Sequence, residues 1–143
     1  GSLPSELEND YQKYVTNRSP VTTMAAHYQA EFTSRRDQAK IYDDQLAAIK
    51  KTIEANQREL KTRRSAIESE YDRLQQLRSG GDAAAYNASV DSYNAKASAY
   101  NALLAATQAK INEYNTIVEK RNALALETRE LTQALSSQQV TTE

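Results

Sequence analysis

The feature that most constrains this chain is where it lacks punctuation. Pro20 and Gly80 bracket a run with no glycine or proline, and Asp82 opens a second that lasts to about Gln138. As α-helices at 1.5 Å per residue, each stretch would be ~85 Å long. Ser19 can cap the first helix, with Pro20 at its first helical position. Asp82 can cap the second, and Gly80 can take the left-handed conformation that ends the first. The segment Ser79-Gly80-Gly81-Asp82 therefore reads as a tight reversal. Composition agrees. Only 39% of the residues are hydrophobic, and 3 glycines and 2 prolines are too few for many turns. Long helices fit this better than a compact domain with a thick core.

Seven-residue columns support the same reading. In the first stretch, Phe32, Ala39, Leu46, Ile53, Leu60, Ile67 and Leu74 form one column. Tyr28, Arg35, Tyr42, Ile49, Asn56, Arg63, Glu70 and Leu77 form the other. In the second, Val90, Ala97, Leu104, Ile111, Val118 and Ala125 recur, beside Tyr86, Tyr93, Tyr100, Thr107, Tyr114, Arg121 and Thr128. A sustained heptad implies a left-handed supercoil. Folding the chain back at Gly80 sets Leu74 with Tyr86, Ile67 with Tyr93, Leu60 with Tyr100, Ile49 with Ile111, and Leu46 with Tyr114. The expected fold is all-α: a long antiparallel coiled-coil helical hairpin, with helices over 19–79 and 82–138 and a tip at 79–82.

Polar residues occupy several seam positions, and each lowers stability relative to leucine while favouring one register. Arg63 and Arg35 are expected opposite Ala97 and Ala125, where small partners let a long side chain reach water. The Tyr-Asn repeat, Tyr86-Asn87, Tyr93-Asn94, Tyr100-Asn101 and Tyr114-Asn115, reads as a seam unit. Tyrosine would fill the layer and asparagine would bond across it.

The N-terminal residues suggest a further element. After a stretch at 1–4 read as a tag, residues 5–17 suggest a separate short helix with Ser5 and Glu8 at capping-box spacing. Its apolar face would be Leu7, Tyr11, Tyr14 and Val15. Leu103, Ile117, Leu124 and Leu131 lie one position beside the assigned seam, followed by Leu135. That stripe is a candidate partner face, expected to receive the short helix at the open end or a second chain. Residues 139–143 read as a frayed tail. Gly1-Ser2 reads as a cloning remnant, so a leader and neighbouring domains are expected outside this stretch.

The chain shows no chemistry of its own. It has no cysteine and one histidine, His27, so thiolate sites, zinc spacing and Ser-His-Asp arrangements are not expected. Carboxylate pairs such as Glu68/Asp72 and Asp43/Asp44 fall on helix surfaces, away from any pocket that would tune acid–base work. Gly80-Gly81 lacks the lysine and strand of a phosphate loop. The cluster Arg58, Lys61, Arg63, Arg64, Arg73 and Arg78 is interleaved with Glu59, Glu68, Glu70 and Asp72, as on a solvated, ion-paired face. No apolar run nears the ~20 residues of a membrane span, and a net charge of −1 gives no footprint for nucleic acid. The expectation is a non-enzyme with no catalytic residue, metal, cofactor or small-molecule substrate. Its partners would be another protein or a second copy.

Two resemblances bear on the role. The run Gly80-Gly81-Asp82, Tyr86-Asn87, Ile111-Asn112-Glu113-Tyr114-Asn115-Thr116-Ile117-Val118 and Asn122-Ala123-Leu124 is similar to a bacterial coiled-coil segment. That segment precedes the matrixin-like zinc metalloprotease domain in certain exported proteins. The resemblance covers about residues 65–125 and implies a spacer arm without the protease, since no His-Glu-x-x-His motif is present. It favours an exported, periplasmic or cell-surface location, with the cytoplasm left open. The tip also invites comparison with periplasmic efflux-adaptor hairpins, which dock end-on through an arginine, a leucine and a serine. Arg73 and Leu77 match, but Ala84 stands where the serine would be.

Overall fold

A computed structural model describes the backbone of residues 2–142 and the side chains of residues 22–137. Two helices account for it: α1, Ser2–Gly80, and α2, Ala83–Thr142, which pack together as a helical hairpin. No strand occurs among the described residues.

The reversal is tighter than the sequence reading placed it. α1 runs through Gly80, and Gly81 is the residue that turns left-handed, with φ of 78°. Only glycine enters that region without a steric cost from Cβ. Asp82 then caps α2: its Oδ1 accepts the Ala85 amide at 3.1 Å, and its backbone carbonyl accepts the Tyr86 amide at 3.0 Å. The expectation for Asp82 holds, whereas the helix-ending role belongs to Gly81 rather than Gly80.

The separate helix expected over 5–17 is not seen, because α1 is unbroken from Ser2. Carrying Pro20 inside a helix forfeits one backbone donor. Breaking the helix there would instead orphan up to four carbonyls on one side and four amides on the other. The side chains of Leu7, Tyr11, Tyr14 and Val15 lie outside the described residues. α2 likewise continues past the expected end at 138, to Thr142.

The chain divides into two compact units. One, here the tip unit, is Asp43–Glu119 and contains the reversal; the other, the terminal unit, joins Gly1–Tyr42 to Lys120–Glu143. In the tip unit the most buried residues are Ile49, Glu70, Ser89, Thr107 and Ile117. In the terminal unit Leu124 is the most buried. A pair of helices can cover only a narrow strip of each partner, which is why the core is thin and partly polar.

Candidate functional site

In the tip unit, α1 covers the columns the sequence assigned to it. Leu46, Ile53, Leu60, Ile67 and Leu74 are half-buried, Ile49 is buried, and Glu70 is 8% exposed. On α2 the tyrosine column also faces inward, with Tyr86, Tyr93, Tyr100 and Tyr114 half-buried. The second α2 column differs from expectation. Ser89 at 4% exposure and Ile117 at 9% are covered, and Leu103 is half-buried. Leu104, assigned to the seam, is 47% exposed, and Val90, Ile111 and Val118 are half-buried beside it. The stripe read as a free partner face thus lies inward in both units, since Leu124 is buried and Leu131 half-buried in the terminal unit.

A polar cluster lies on this inward column. The Glu70 carboxylate is taken inward and must be met by donors. The Ser89 hydroxyl donates to its Oε1 at 2.9 Å, and the Lys96 ammonium to its Oε2 at 3.0 Å. Lys96, then Ser89, hold the Glu70 carboxyl below its ordinary value of 4.5, against the opposing effect of desolvation. Ser89 and Lys96 stand three residues after Tyr86 and Tyr93, whereas Val90 and Ala97 stand four after them. Both spacings suit a heptad, and the donors for Glu70 lie on the first.

The same contacts displace the register. Folding at Gly80 would set Glu70 opposite Val90, but its partners Ser89 and Lys96 straddle Tyr93. The Tyr71 ring lies on that of Tyr93, with centroids 6.4 Å apart, and the Arg64 guanidinium donates to the Tyr100 hydroxyl at 3.3 Å. Farther along, Lys50 and Ile53 share a shallow cleft with Ile111 and Tyr114. Moving the fold point from Gly80 to the Gly81-Asp82 bond shifts every cross-helix partner by three residues.

Other expectations meet mixed outcomes. Arg63 bonds along its own helix to Glu59 at 3.0 Å, and is not drawn across to Ala97. Thr107 is buried and donates to the Leu103 carbonyl at 2.7 Å, so its hydroxyl is satisfied within α2. Asn87, Asn94, Asn101 and Asn115 are exposed, and none bonds across the seam. One position after an inward tyrosine is 100° around the helix, too far to reach α1.

The terminal unit holds a cleft of about 840 Å³. Tyr28, Phe32, Arg35 and Ala39 of α1 line it, with Leu124, Thr128 and Leu135 of α2. The Arg35 guanidinium pairs with Glu31 one turn earlier, and this holds the Glu31 carboxyl below its ordinary value. Its Nε is buried without an acceptor. Thr128 donates to the Leu124 carbonyl at 2.9 Å. His27 is exposed, edge-on to Tyr28.

Comparison with protein-family models, with curated proteins and with solved structures gives no match. Among the described residues, no cluster of three or more histidine, cysteine or carboxylate side chains could hold a metal ion. Within the described residues, no helix is long and apolar enough to cross a membrane. At the tip, Ser79, Gly80, Gly81 and Asp82 are all exposed, and Ser79 donates back to the Gln75 carbonyl at 3.2 Å. Arg73 is exposed but Leu77 is half-buried, so an end-on partner would find half of the adaptor-like pair turned partly inward.

Proposed function

We propose that this chain is a non-catalytic antiparallel coiled-coil arm. It acts as a spacer or protein–protein interaction module of a larger, exported bacterial protein. The observation that carries the reading is the order of the cross-helix contacts in the tip unit. Going away from the reversal, Tyr71 meets Tyr93, Arg64 meets Tyr100, and Lys50 neighbours Tyr114. Heptad columns on both helices supply the rest. A helix pair held by a thin seam, with its carboxylates on surfaces or paired to lysine and arginine, suits holding and touching better than turnover. The exported location and the place beside a metalloprotease domain rest on the resemblance of residues 65–125 alone.

The orientation is tested with spin labels on Asp44→Cys and Glu119→Cys, in a chain with no native cysteine. The arm reading expects a separation under about 25 Å. A helix continuing straight through Gly81 would instead separate the labels by ~110 Å at 1.5 Å per residue. Hydrolytic activity in the isolated chain would contradict the non-catalytic part of the reading.

A further inference from the structure

The apolar column beside the tyrosines on α2 is only partly covered among the described residues: Val90, Ala97, Ile111 and Val118 are half-buried, and Leu104 is exposed. Val90, Ala97, Leu104, Ile111 and Val118 recur every seven residues along it, and Leu104 at their centre is 47% exposed. The exposed amides of Asn87, Asn94, Asn101, Gln108 and Asn115 run beside this stripe. Between Ser92 and Val118, α2 carries three charges, and all are paired within the chain: Lys96 to Glu70, and Lys110 to Glu113 at 3.2 Å. A face without charge, lined by aliphatic and amide side chains, has the composition of an interface core rather than of a solvated surface.

We infer that this α2 face is a self-association surface, and that its occupant is the same face of a second copy, packed antiparallel about a two-fold axis at Leu104. This rests on the arm reading proposed above. The order of side-chain sizes argues for a second copy. Reversing the stripe sets Leu104 on Leu104, Ala97 on Ile111 and Val90 on Val118, so the small residue meets a large one on each side of the axis. An isologous contact needs such self-complementarity. The amide column supplies it too, since an asparagine side chain both donates and accepts. Charge agrees at the ends of the patch. Asp91 and Glu119 of the second copy would arrive within about a turn of Lys50 and Arg78 on α1. The patch is small. About 43 Å of helix at a contact width of ~10 Å covers roughly 430 Å² per copy. With the α1 flank added, the total reaches only about 1,000 Å², the low end for a specific interface, so the dimer should be weak and concentration-dependent.

Sedimentation equilibrium across about 1–300 µM, with helicity followed in parallel, tests this directly. The wild-type chain should approach twice its monomer mass at the upper end. Leu104→Lys should weaken dimerisation at least tenfold with unchanged helicity, because Leu104 is exposed in the single chain. Lys51→Glu, on α1 away from the patch, should leave dimerisation unaltered. Mild oxidation of Leu104→Cys should give an interchain disulfide. A monomer at every concentration, or a dimer unaffected by Leu104→Lys, would overturn the proposal. The labels on Asp44→Cys and Glu119→Cys, read in a dilute sample diluted further with unlabelled chain, report the arm itself. A short distance there without Leu104 crosslinking removes the dimer and leaves the arm.

Discussion

In the tip unit the two helices that face each other are unlike. α1 from 43 to 80 carries fifteen charged residues; α2 from 83 to 119 carries five, Asp91, Lys96, Lys110, Glu113 and Glu119. On α1 the inward column Leu46, Ile53, Leu60, Ile67 and Leu74 carries no charge and its inward neighbour carries only Arg63 and Glu70, so the apolar seam stands out. On α2 the tyrosine column is flanked on one side by the charge-free column Val90 to Val118 and on the other by one that carries Lys96 and Lys110, and apolarity alone does not say which flank faces the partner. A seam is marked as much by what surrounds it as by what fills it. A helix with charge-poor surface to spare has either an ambiguous seam or a second use for the excess.

The sharpest way to break this contrast is to trim the two candidate columns of α2 in turn. Ile117→Ala should cost about 2–3 kcal/mol, at the low end for a covered isoleucine because the seam is thin. Leu104→Ala should stay within about 0.5 kcal/mol at concentrations where the chain is monomeric. Urea unfolding compares them. Equal losses would mean that both columns are seam.

The two central glycines give the next largest effect, because they fix how α1 and α2 are offset. Gly81→Ala should destabilise by about 1–2 kcal/mol, since alanine resists a left-handed φ. Gly80→Ala should instead stabilise by roughly 0.5–1 kcal/mol: Gly80 lies inside α1, and a Cβ there meets nothing within 4 Å. Opposite signs at adjacent residues, read by thermal melting, would locate the reversal.

The smallest effect concerns pH. The Glu70 carboxyl is lowered by Lys96 and Ser89, so the folded state holds its proton less tightly than the unfolded state does. Its contribution is therefore present above the unfolded value near 4.5 and is lost as pH falls through the lower folded value. Wild type should lose thermal stability more steeply than Glu70→Gln between pH 5 and about 3. Parallel curves would remove Glu70 from the account.

Much of this was legible in the residues. The two helices, the reversal, the Asp82 cap and the α1 columns follow from punctuation and periodicity, which act locally. The α2 seam was legible only in part: the tyrosine column, Val90, Ile111 and Val118 are half-buried, whereas Leu104 is exposed. The tyrosine column admits an apolar companion at either +3 or +4, and hydrophobicity pointed to Val90 and Leu104. Ser89 and Lys96 meet Glu70 on the +3 side, and a carboxylate's need for donors is a cross-helix matter that no single-helix pattern displays. Lys96 and Ser89, standing three residues after tyrosines and able to meet a seam glutamate, were the available signal. Pro20 misled for a related reason: a helix boundary residue in general was here carried inside a continuous helix.

The seam through Leu103 is tested most directly by disulfide trapping. At high dilution, Leu60→Cys with Leu103→Cys should close rapidly within one chain and keep its helicity. Leu60→Cys with Tyr100→Cys, the pair set by folding at Gly80, should close more slowly. Faster closure of the Tyr100 pair, or only interchain crosslinks from both, would contradict the register on which the α2 seam depends.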